Sequence, residues 1–394
     1  MFGRLRRNLG ESYSPLYFLA ALGAGGLAVS FFMFLMFWVA HPNHPVPVFE
    51  DVLGGFTQGG MAAKGAILVA VLGIALFAIL HLRLLAWNIS EYRRYRTTEA
   101  YRTLRAGNGE TQLSAIPLTL AMTVNVCFIV GAVFVPGLWS AVEYLLPGAL
   151  IAFLAIGVQA HRILFGFFAR IFTAGGFDCA KNNNLTQMMP TFALAMIGVG
   201  LAAPAAFSHV PAVAGIGFLT STYFITAAVI LGAIKLILGF RGMMDQGTDK
   251  DTLPTLWVVV PILTVLTIAF MRQDHALGTF FGGHGSPGET LAFLARMLAA
   301  QVFFGGLGLV VMRRAGYFET YVIGAEKSPG SYALVCPGVA LAVMGHFFIN
   351  KGLVGAGLID KFGVAYWLLT AVPLALQVLT IWVMLKLNSK HVSA

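Results

Sequence analysis

Long apolar stretches separated by short polar segments make up most of this chain. A helix needs about 20 mostly apolar residues to cross the hydrocarbon core of a bilayer. Stretches of that kind lie at 15–40, 65–86, 113–136, 138–161, 189–207, 210–238, 253–271, 290–312, 331–350 and 363–385. The pattern therefore predicts an all-α membrane protein with ten transmembrane helices, in one membrane domain over residues 1–394.

The polar segments differ in basic charge. If the N-terminus lies in the cytoplasm, the cytoplasmic side holds all but five of the 25 Lys and Arg residues. The opposite side holds only Lys64, Arg272, Lys351 and Lys361, and Arg296 lies within the eighth stretch. Because basic residues are enriched in cytoplasmic loops, we predict a multi-pass protein of a bacterial inner membrane, with both termini in the cytoplasm.

The connections between the stretches are of two kinds. Short turns at 136–137 and 208–211 predict helical hairpins, whereas the opposite-side segments 41–63 and 272–288 are longer and rich in Gly, Pro and His. The largest cytoplasmic segment, 87–112, contains the run EYRRYR at 91–96. Its charge predicts a helix that lies in water or among lipid headgroups.

The composition excludes several classes of protein. Charged residues make up 10% of the chain, against about 25% in a soluble globular protein. The formal net charge of +9 follows from the orientation of the loops, so we expect no nucleic-acid partner. The three cysteines have neither a disulfide framework nor the spacing of zinc ligands. We predict no metal, no cofactor and no enzymatic activity.

Helix-breaking residues concentrate in the odd-numbered stretches. They are Gly23, Gly25 and Gly26, then Pro117, Pro190, Pro261 and Pro337, with Pro147 and Pro373 as the comparable residues of even stretches. Breakers at membrane depth are tolerated where a water-filled cavity or other protein satisfies the backbone. Two interpretations stay open: the odd helices line a path, or these are ordinary kink and packing residues.

Polar residues inside the stretches are candidates for function because burying them is costly. Thr119, Thr123 and Asn125 on the third stretch offer donors to an anion or to a neighbouring helix. His346 near the end of the ninth is a candidate vestibule ligand, or a side chain that reaches the interface. For Arg296 we expect a structural pairing, with Glu143 or Glu289 as candidate partners.

Four odd stretches carry short segments that match one family in order along the chain. They are SPLYFLAALG at 14–23, MPT at 189–191, LWVVVP at 256–261 and SYALVCPGVALA at 331–342. These segments are similar to those of the TehA/SLAC-type anion channels, the tellurite-resistance/dicarboxylate transporter family. The resemblance implies five helical hairpins in a ring, with the odd helices innermost around a pore, often in a homotrimer.

The resemblance also implies a function. Members of the family pass small anions across the bilayer, among them chloride, nitrate, sulfite and dicarboxylates. On this basis we expect Phe18, Pro117, Phe192, Pro261 and Pro337 to lie along the pore. The family's gate is a phenylalanine on the ninth helix, and that position falls on a cysteine in this chain.

Cys336 is the residue at the gate position. A thiolate attacks sulfur- and selenium-centred electrophiles, so one interpretation is a pore for a sulfur or selenium oxyanion that contacts the thiol. The other interpretation is a small buried apolar residue. We treat Cys127 as a packing residue and Cys179 as an ordinary loop residue.

A membrane redox protein that binds haem is the alternative function. It requires paired histidines at matching depth on neighbouring helices. His81 and His161 lie near the cytoplasmic ends of the second and fourth stretches. At an interface, such side chains usually reach toward water, so the sequence favours the anion pathway.

Overall fold

The computed structural model of the protein describes residues 3–283 and 285–393. Within them, ten helices are long and apolar enough to cross a membrane, which confirms the predicted all-α membrane fold. They are α1 (Phe18–Trp38), α2 (Met61–Tyr95), α3 (Ala115–Phe134), α4 (Val142–Ala174), α5 (Met189–Phe207), α6 (Pro211–Gln246), α7 (Val259–Phe281), α8 (Pro287–Arg314), α9 (Val335–Phe347) and α10 (Val364–His391).

Several helices continue beyond the predicted apolar stretches. α2 runs to residue 95 rather than 86, α4 to 174 rather than 161, and α7 to 281 rather than 271. Hydropathy marks only the part of a helix that matches the hydrocarbon core, while the helix itself extends into the headgroup region. The segments 41–63 and 87–112 also contain short helices, Phe49–Gln58 and Glu99–Ala106.

Every odd helix is preceded by a 3₁₀ turn. These turns are Pro15–Tyr17, Asn108–Ser114, Thr186–Met188, Lys250–Trp257 and Pro329–Leu334. Pro117, Pro190, Pro261 and Pro337 are the second or third residues of their α-helices. Proline is tolerated in a first turn, so these residues lie at the starts of the odd helices rather than in their middle.

The odd helices form a closed ring. α1 contacts α3, α3 contacts α5, α5 contacts α7, α7 contacts α9, and α9 returns to α1. Each odd helix also contacts the even helix that follows it, which gives five hairpins around one axis. The even helices lie outside: 89% of the apolar stretch of α1 is buried, against 17% of that of α8.

Glycines allow the ring to close tightly between α1 and α9. A Cβ atom on Gly23 would lie 2.6 Å from Val335 Cγ1, and one on Gly26 would lie 3.1 Å from Val339 Cγ1. Small residues of this kind let membrane helices approach closely. The glycines of the first stretch therefore allow close packing, and Gly23 and Gly26 also line the cavity inside the ring.

Candidate functional site

A cavity of about 160 Å³ lies inside the ring. All five odd helices contribute to its wall, together with Val46 from the connection between α1 and α2, and none of the described lining residues comes from an even helix. A molecule of liquid water occupies about 30 Å³, so the space has room for roughly five waters or one small anion. Most of the wall is apolar, and its polar members are Asn125, Thr264, Arg272 and Cys336.

One face of α7 extends along the cavity. Pro261, Thr264, Ile268 and Arg272 all line it, because spacings of three and four residues bring side chains to one side of a helix. The rise from Pro261 to Arg272 is about 16 Å, roughly half of the hydrocarbon core. α7 therefore places a proline near the end of the ring where the odd helices begin, and an arginine far along toward the end where they finish.

Arg272 is the one charged residue among the described lining residues of the cavity. Its Nη1 donates to the carbonyl oxygen of Val199 at 2.8 Å, and its guanidinium lies 5.6 Å from the centre of the Phe207 ring. None of the ion pairs between described residues includes it. A cation without an ion-pair partner among the described residues, at the edge of an apolar space, attracts anions strongly because the local dielectric constant is low.

Asn125 supplies a neutral donor to the same space. Its Nδ2 lies 3.7 Å from the sulfur of Met196, and both residues line the cavity. A thioether sulfur is a weak acceptor. The amide can therefore turn its N–H groups toward an anion without losing a strong hydrogen bond.

Thr264 is fixed by a helix outside the ring. Its hydroxyl donates to the carbonyl oxygen of Ala340 at 3.2 Å and accepts from Gln301 Nε2 at 2.6 Å. Gln301, a fully buried residue of α8, also donates to the carbonyl oxygen of Val260 at 2.8 Å. An even helix thus holds in place a side chain of the cavity wall.

Three of the predicted pore residues meet near the end of the ring where the odd helices begin. Cys336, Phe192 and Pro261 all line the cavity, and each lies in the first turn of its helix. The thiol faces a mostly apolar wall. Arg272 is the one charged residue among the described lining residues, and it lies at the opposite end of the cavity from Cys336. No cation of the described wall therefore lies beside the thiol.

Phe18, Pro117 and Pro337 are buried but lie outside the cavity wall. The ring of Phe18 contacts that of Tyr92 edge-on, with centres 6.1 Å apart, at the contact between α1 and α2. The two prolines are buried in the first turns of α3 and α9. We therefore leave these three residues out of the proposed pathway.

Thr119 and Thr123 also lie outside the cavity wall. The Thr119 hydroxyl is 3.1 Å from the carbonyl oxygen of Phe18 and 2.8 Å from that of Ala115. Thr123 Oγ1 lies 2.9 Å from Nε2 of His81, whose Nδ1 lies 2.7 Å from the carbonyl oxygen of Ala21. Both hydroxyls connect helices, so of the three polar residues on α3 only Asn125 faces the cavity.

His346 is buried in an aromatic cage at the end of α9. Its ring centre lies 5.7 Å from that of Phe34, 6.4 Å from that of Phe37 and 6.0 Å from that of Trp38. The residue is 1% exposed, and neither ring nitrogen has a hydrogen-bond partner among the described residues. It does not line the cavity, and its burial contradicts a side chain that reaches the interface. Its role as an anion ligand stays a prediction.

His81 and His161 lie inside α2 and α4 rather than at the ends of those helices. His81 is fully buried, and His161 is half-buried. His161 Nδ1 is 2.8 Å from the carbonyl oxygen of Gly157, and its Nε2 is 2.9 Å from the hydroxyl of Tyr223. Each nitrogen of both histidines has a protein partner, an arrangement that does not favour the haem alternative.

The expected pairing of Arg296 is absent from the described residues. Glu143 accepts instead from Ser208 Oγ at 2.7 Å and from the amide of His209 at 2.6 Å. Glu289 accepts from the amide of Ser286 at the start of α8. Both carboxylates therefore accept hydrogen bonds from residues near the ends of helices rather than pairing with Arg296. Arg296 itself is exposed.

No protein-family model matches this chain, and no curated protein is significantly similar to it. The resemblance to the TehA/SLAC-type channels therefore depends on the four quoted segments alone.

Sequence reasoning missed Arg272 and Gln301. It assigned Arg272 to a loop, although the interval of eleven residues from Pro261 equals about three helical turns and would have predicted a shared face. Gln301 is a polar residue in the middle of an apolar stretch, a pattern that by itself indicates burial with a partner.

Proposed function

We propose that the protein conducts a small anion across a membrane through the cavity between its odd helices. The observation that carries this proposal is the position of Arg272, the one charged side chain among the described cavity-lining residues. A single fixed cation without a paired carboxylate favours entry of an anion and opposes entry of a cation. The Asn125 amide adds a donor that holds the ion without binding it tightly.

The size of the cavity favours small anions. Chloride, nitrate and sulfite, or a comparable sulfur or selenium oxyanion, fit a space of about 160 Å³. The resemblance to the TehA/SLAC-type family keeps a dicarboxylate as a further candidate. Apart from Arg272 the wall offers only neutral donors, which supports rapid passage rather than tight binding.

The membrane, orientation and assembly belong to the same proposal. The excess of basic residues on one side supports a bacterial inner membrane with both termini in the cytoplasm. The four quoted segments support membership of the TehA/SLAC-type family, and with it a homotrimer in which each copy has its own pathway. Crosslinking in native membranes that yields only monomers and dimers would contradict the trimer.

Flux into proteoliposomes tests the function. The purified protein is reconstituted, and uptake of chloride, nitrate, sulfite, thiosulfate, selenite and malate is compared with that of empty vesicles. We expect uptake of at least one small anion, and we expect Arg272→Gln to lower it about tenfold or more, since the variant removes the fixed charge. Arg272→Lys retains the charge and should retain more of the flux.

Lys351→Gln is the matched control, because it removes a basic residue from the same predicted side outside the cavity wall. It should leave the flux unchanged. The proposal is wrong if no anion enters faster than into empty vesicles, or if Arg272→Gln transports as well as wild type.

A further inference from the structure

A second cavity, of about 770 Å³, lies where the N-terminal segment crosses the end of α2. Five arginines line it: Arg4, Arg6 and Arg7 from the segment, and Arg83 and Arg94 from α2. We call this space the arginine pocket. Its volume is within the range of specific ligand sites.

Hydrogen bonds hold the wall of the arginine pocket in place. The amides of Asn8 and Leu9 donate to the carboxylate of Glu91 at 3.2 and 2.9 Å. Trp87 Nε1 donates to the carbonyl oxygen of Arg6 at 2.6 Å. The amide of Arg6 donates to the carbonyl oxygen of Val392 at 2.9 Å, so residues near the C-terminus and α2 together hold the N-terminal segment.

The arginine pocket carries an excess of positive charge. Glu91 is its one carboxylate among the described lining residues, and it is 1% exposed. It already accepts from two amides and from Arg94 Nη1 at 3.3 Å. The ion pairs between described residues include none with Arg4, Arg6 or Arg7. Arg4, Arg6 and Arg7 thus bring positive charge to the pocket without an ion-pair partner among the described residues, and Arg6 Nη1 donates to the carbonyl oxygen of His391 at 3.4 Å.

A lipid-facing stripe on α2 leads into the arginine pocket. Leu72, Ile79 and Leu82 are exposed, and their spacing places them on one face with Ala86, which lines the pocket. The rise from Leu72 to Arg83 is about 16 Å, close to one leaflet of the roughly 30 Å hydrocarbon core. The apolar stretch 65–86 predicted from the sequence ends beside Arg83 and Ala86, so we expect the pocket to open near the depth where headgroups meet acyl chains.

We propose that the arginine pocket binds the phosphate group of an anionic phospholipid whose acyl chain lies along the exposed face of α2. Arginine clusters bind phosphate through charge-assisted hydrogen bonds, and basic pockets beside membrane helices bind lipid headgroups. The continuity of the pocket with the apolar stripe favours a lipid over a soluble phosphate. This inference goes beyond the transport function and does not depend on it.

Lipid titration of the full-length protein in nonionic detergent tests the inference. Phosphatidylglycerol, phosphatidylcholine and inorganic phosphate are added separately. For each, the lipid retained by the protein is measured by native mass spectrometry, and the midpoint of thermal unfolding is measured in parallel. We expect phosphatidylglycerol alone to be retained and to raise the midpoint. The double variant Arg4→Gln/Arg7→Gln, which changes two exposed residues, should bind it roughly 30-fold more weakly.

Arg313→Gln/Arg314→Gln is the matched control, with the same loss of charge at two exposed residues at the end of α8. It should bind the lipid as wild type does. Ala86→Trp fills the arginine pocket without changing its charge and should also reduce retention.

Three results would overturn the inference. The control Arg313→Gln/Arg314→Gln could lose as much lipid as Arg4→Gln/Arg7→Gln, which would mean that basic charge in general, rather than this pocket, attracts the lipid. Inorganic phosphate could stabilise the protein as strongly as the lipid, which would mean a soluble ligand. Finally, Ala86→Trp could retain the lipid fully, which would place the lipid outside this pocket.

Discussion

Gln301 on α8 donates a 2.6 Å hydrogen bond from Nε2 to Oγ1 of Thr264 on α7. The bond joins a helix outside the ring to a side chain of the cavity wall. The Oε1 atom of the same amide is buried and has no hydrogen-bond partner among the described residues, so Gln301 adds less to stability than its two donated bonds suggest. Its main consequence is to fix the position of Thr264 beside the pathway.

A double-mutant cycle measures this bond. Thr264→Val and Gln301→Leu should be coupled by about 0.6 kcal/mol and by no more than about 2 kcal/mol, the range found for hydrogen bonds between membrane helices. Unfolding in SDS gives the free energies of wild type, both single variants and the double variant. Thr267→Val with Gln301→Leu is the control pair, since Thr267 Oγ1 donates to the carbonyl oxygen of Leu263. If the effects of Thr264→Val and Gln301→Leu on the free energy of unfolding add as fully as those of the control pair, the hydrogen bond does not contribute to stability.

Gly23 should tolerate no side chain. A Cβ atom there would lie 2.6 Å from Val335 Cγ1 and 3.1 Å from Val335 Cβ, atoms that α9 holds close to its backbone. We expect Gly23→Ala to lower the free energy of unfolding by about 1–3 kcal/mol through overpacking. Gly148→Ala, where no atom lies within 4 Å, should leave it unchanged or raise it. Equal effects of the two variants on unfolding would contradict the close α1–α9 contact.

Cys336 allows a test of the thiol chemistry. Cys127 and Cys179 are exposed, contrary to the packing role expected for Cys127, so both are first replaced by serine. In that background Cys336→Ser should keep the fold and lower the flux of sulfur-containing anions more than that of chloride. Cys336→Phe adds a ring to a cavity of about 160 Å³ and should block every anion.

The competing view treats Cys336 as a small space-filling residue. It expects Cys336→Ala to transport every anion as wild type does, and a thiol-selective reagent to act equally on the cysteine and serine forms. If flux measurements give both results, the thiol has no chemical part, and only the general anion pathway remains.

Cysteine labelling of intact cells tests the orientation. In a cysteine-free background, a cysteine at position 390 or within 87–112 should react with an impermeant reagent only after permeabilisation. A cysteine at position 64 should react from outside, because the basic residues predict that side. Segment 282–288 should also react from outside, and its residue 284 lies beyond the described ranges. Labelling of position 390 in intact cells would reverse the topology.

The sequence alone determined the ten helices. In lipid, every backbone polar group must be satisfied within the segment, so an apolar stretch of sufficient length has to be a helix. It also marked the odd helices through Pro117, Pro190, Pro261 and Pro337, but it left open whether these residues line a path or serve packing. Hydropathy does not show where a helix begins, and only the structure placed each proline in a first turn.

The tertiary structure decided which side chains form the site. The odd helices are apolar on every side, so their local pattern does not encode which face points inward. Closure of the ring brings together segments far apart in the chain, and it selected Asn125 on α3 while turning Thr119 and Thr123 toward other helices. The predicted seventh stretch ended at residue 271, one residue before Arg272. Because α7 continues to Phe281, that residue became part of the cavity wall rather than of a loop.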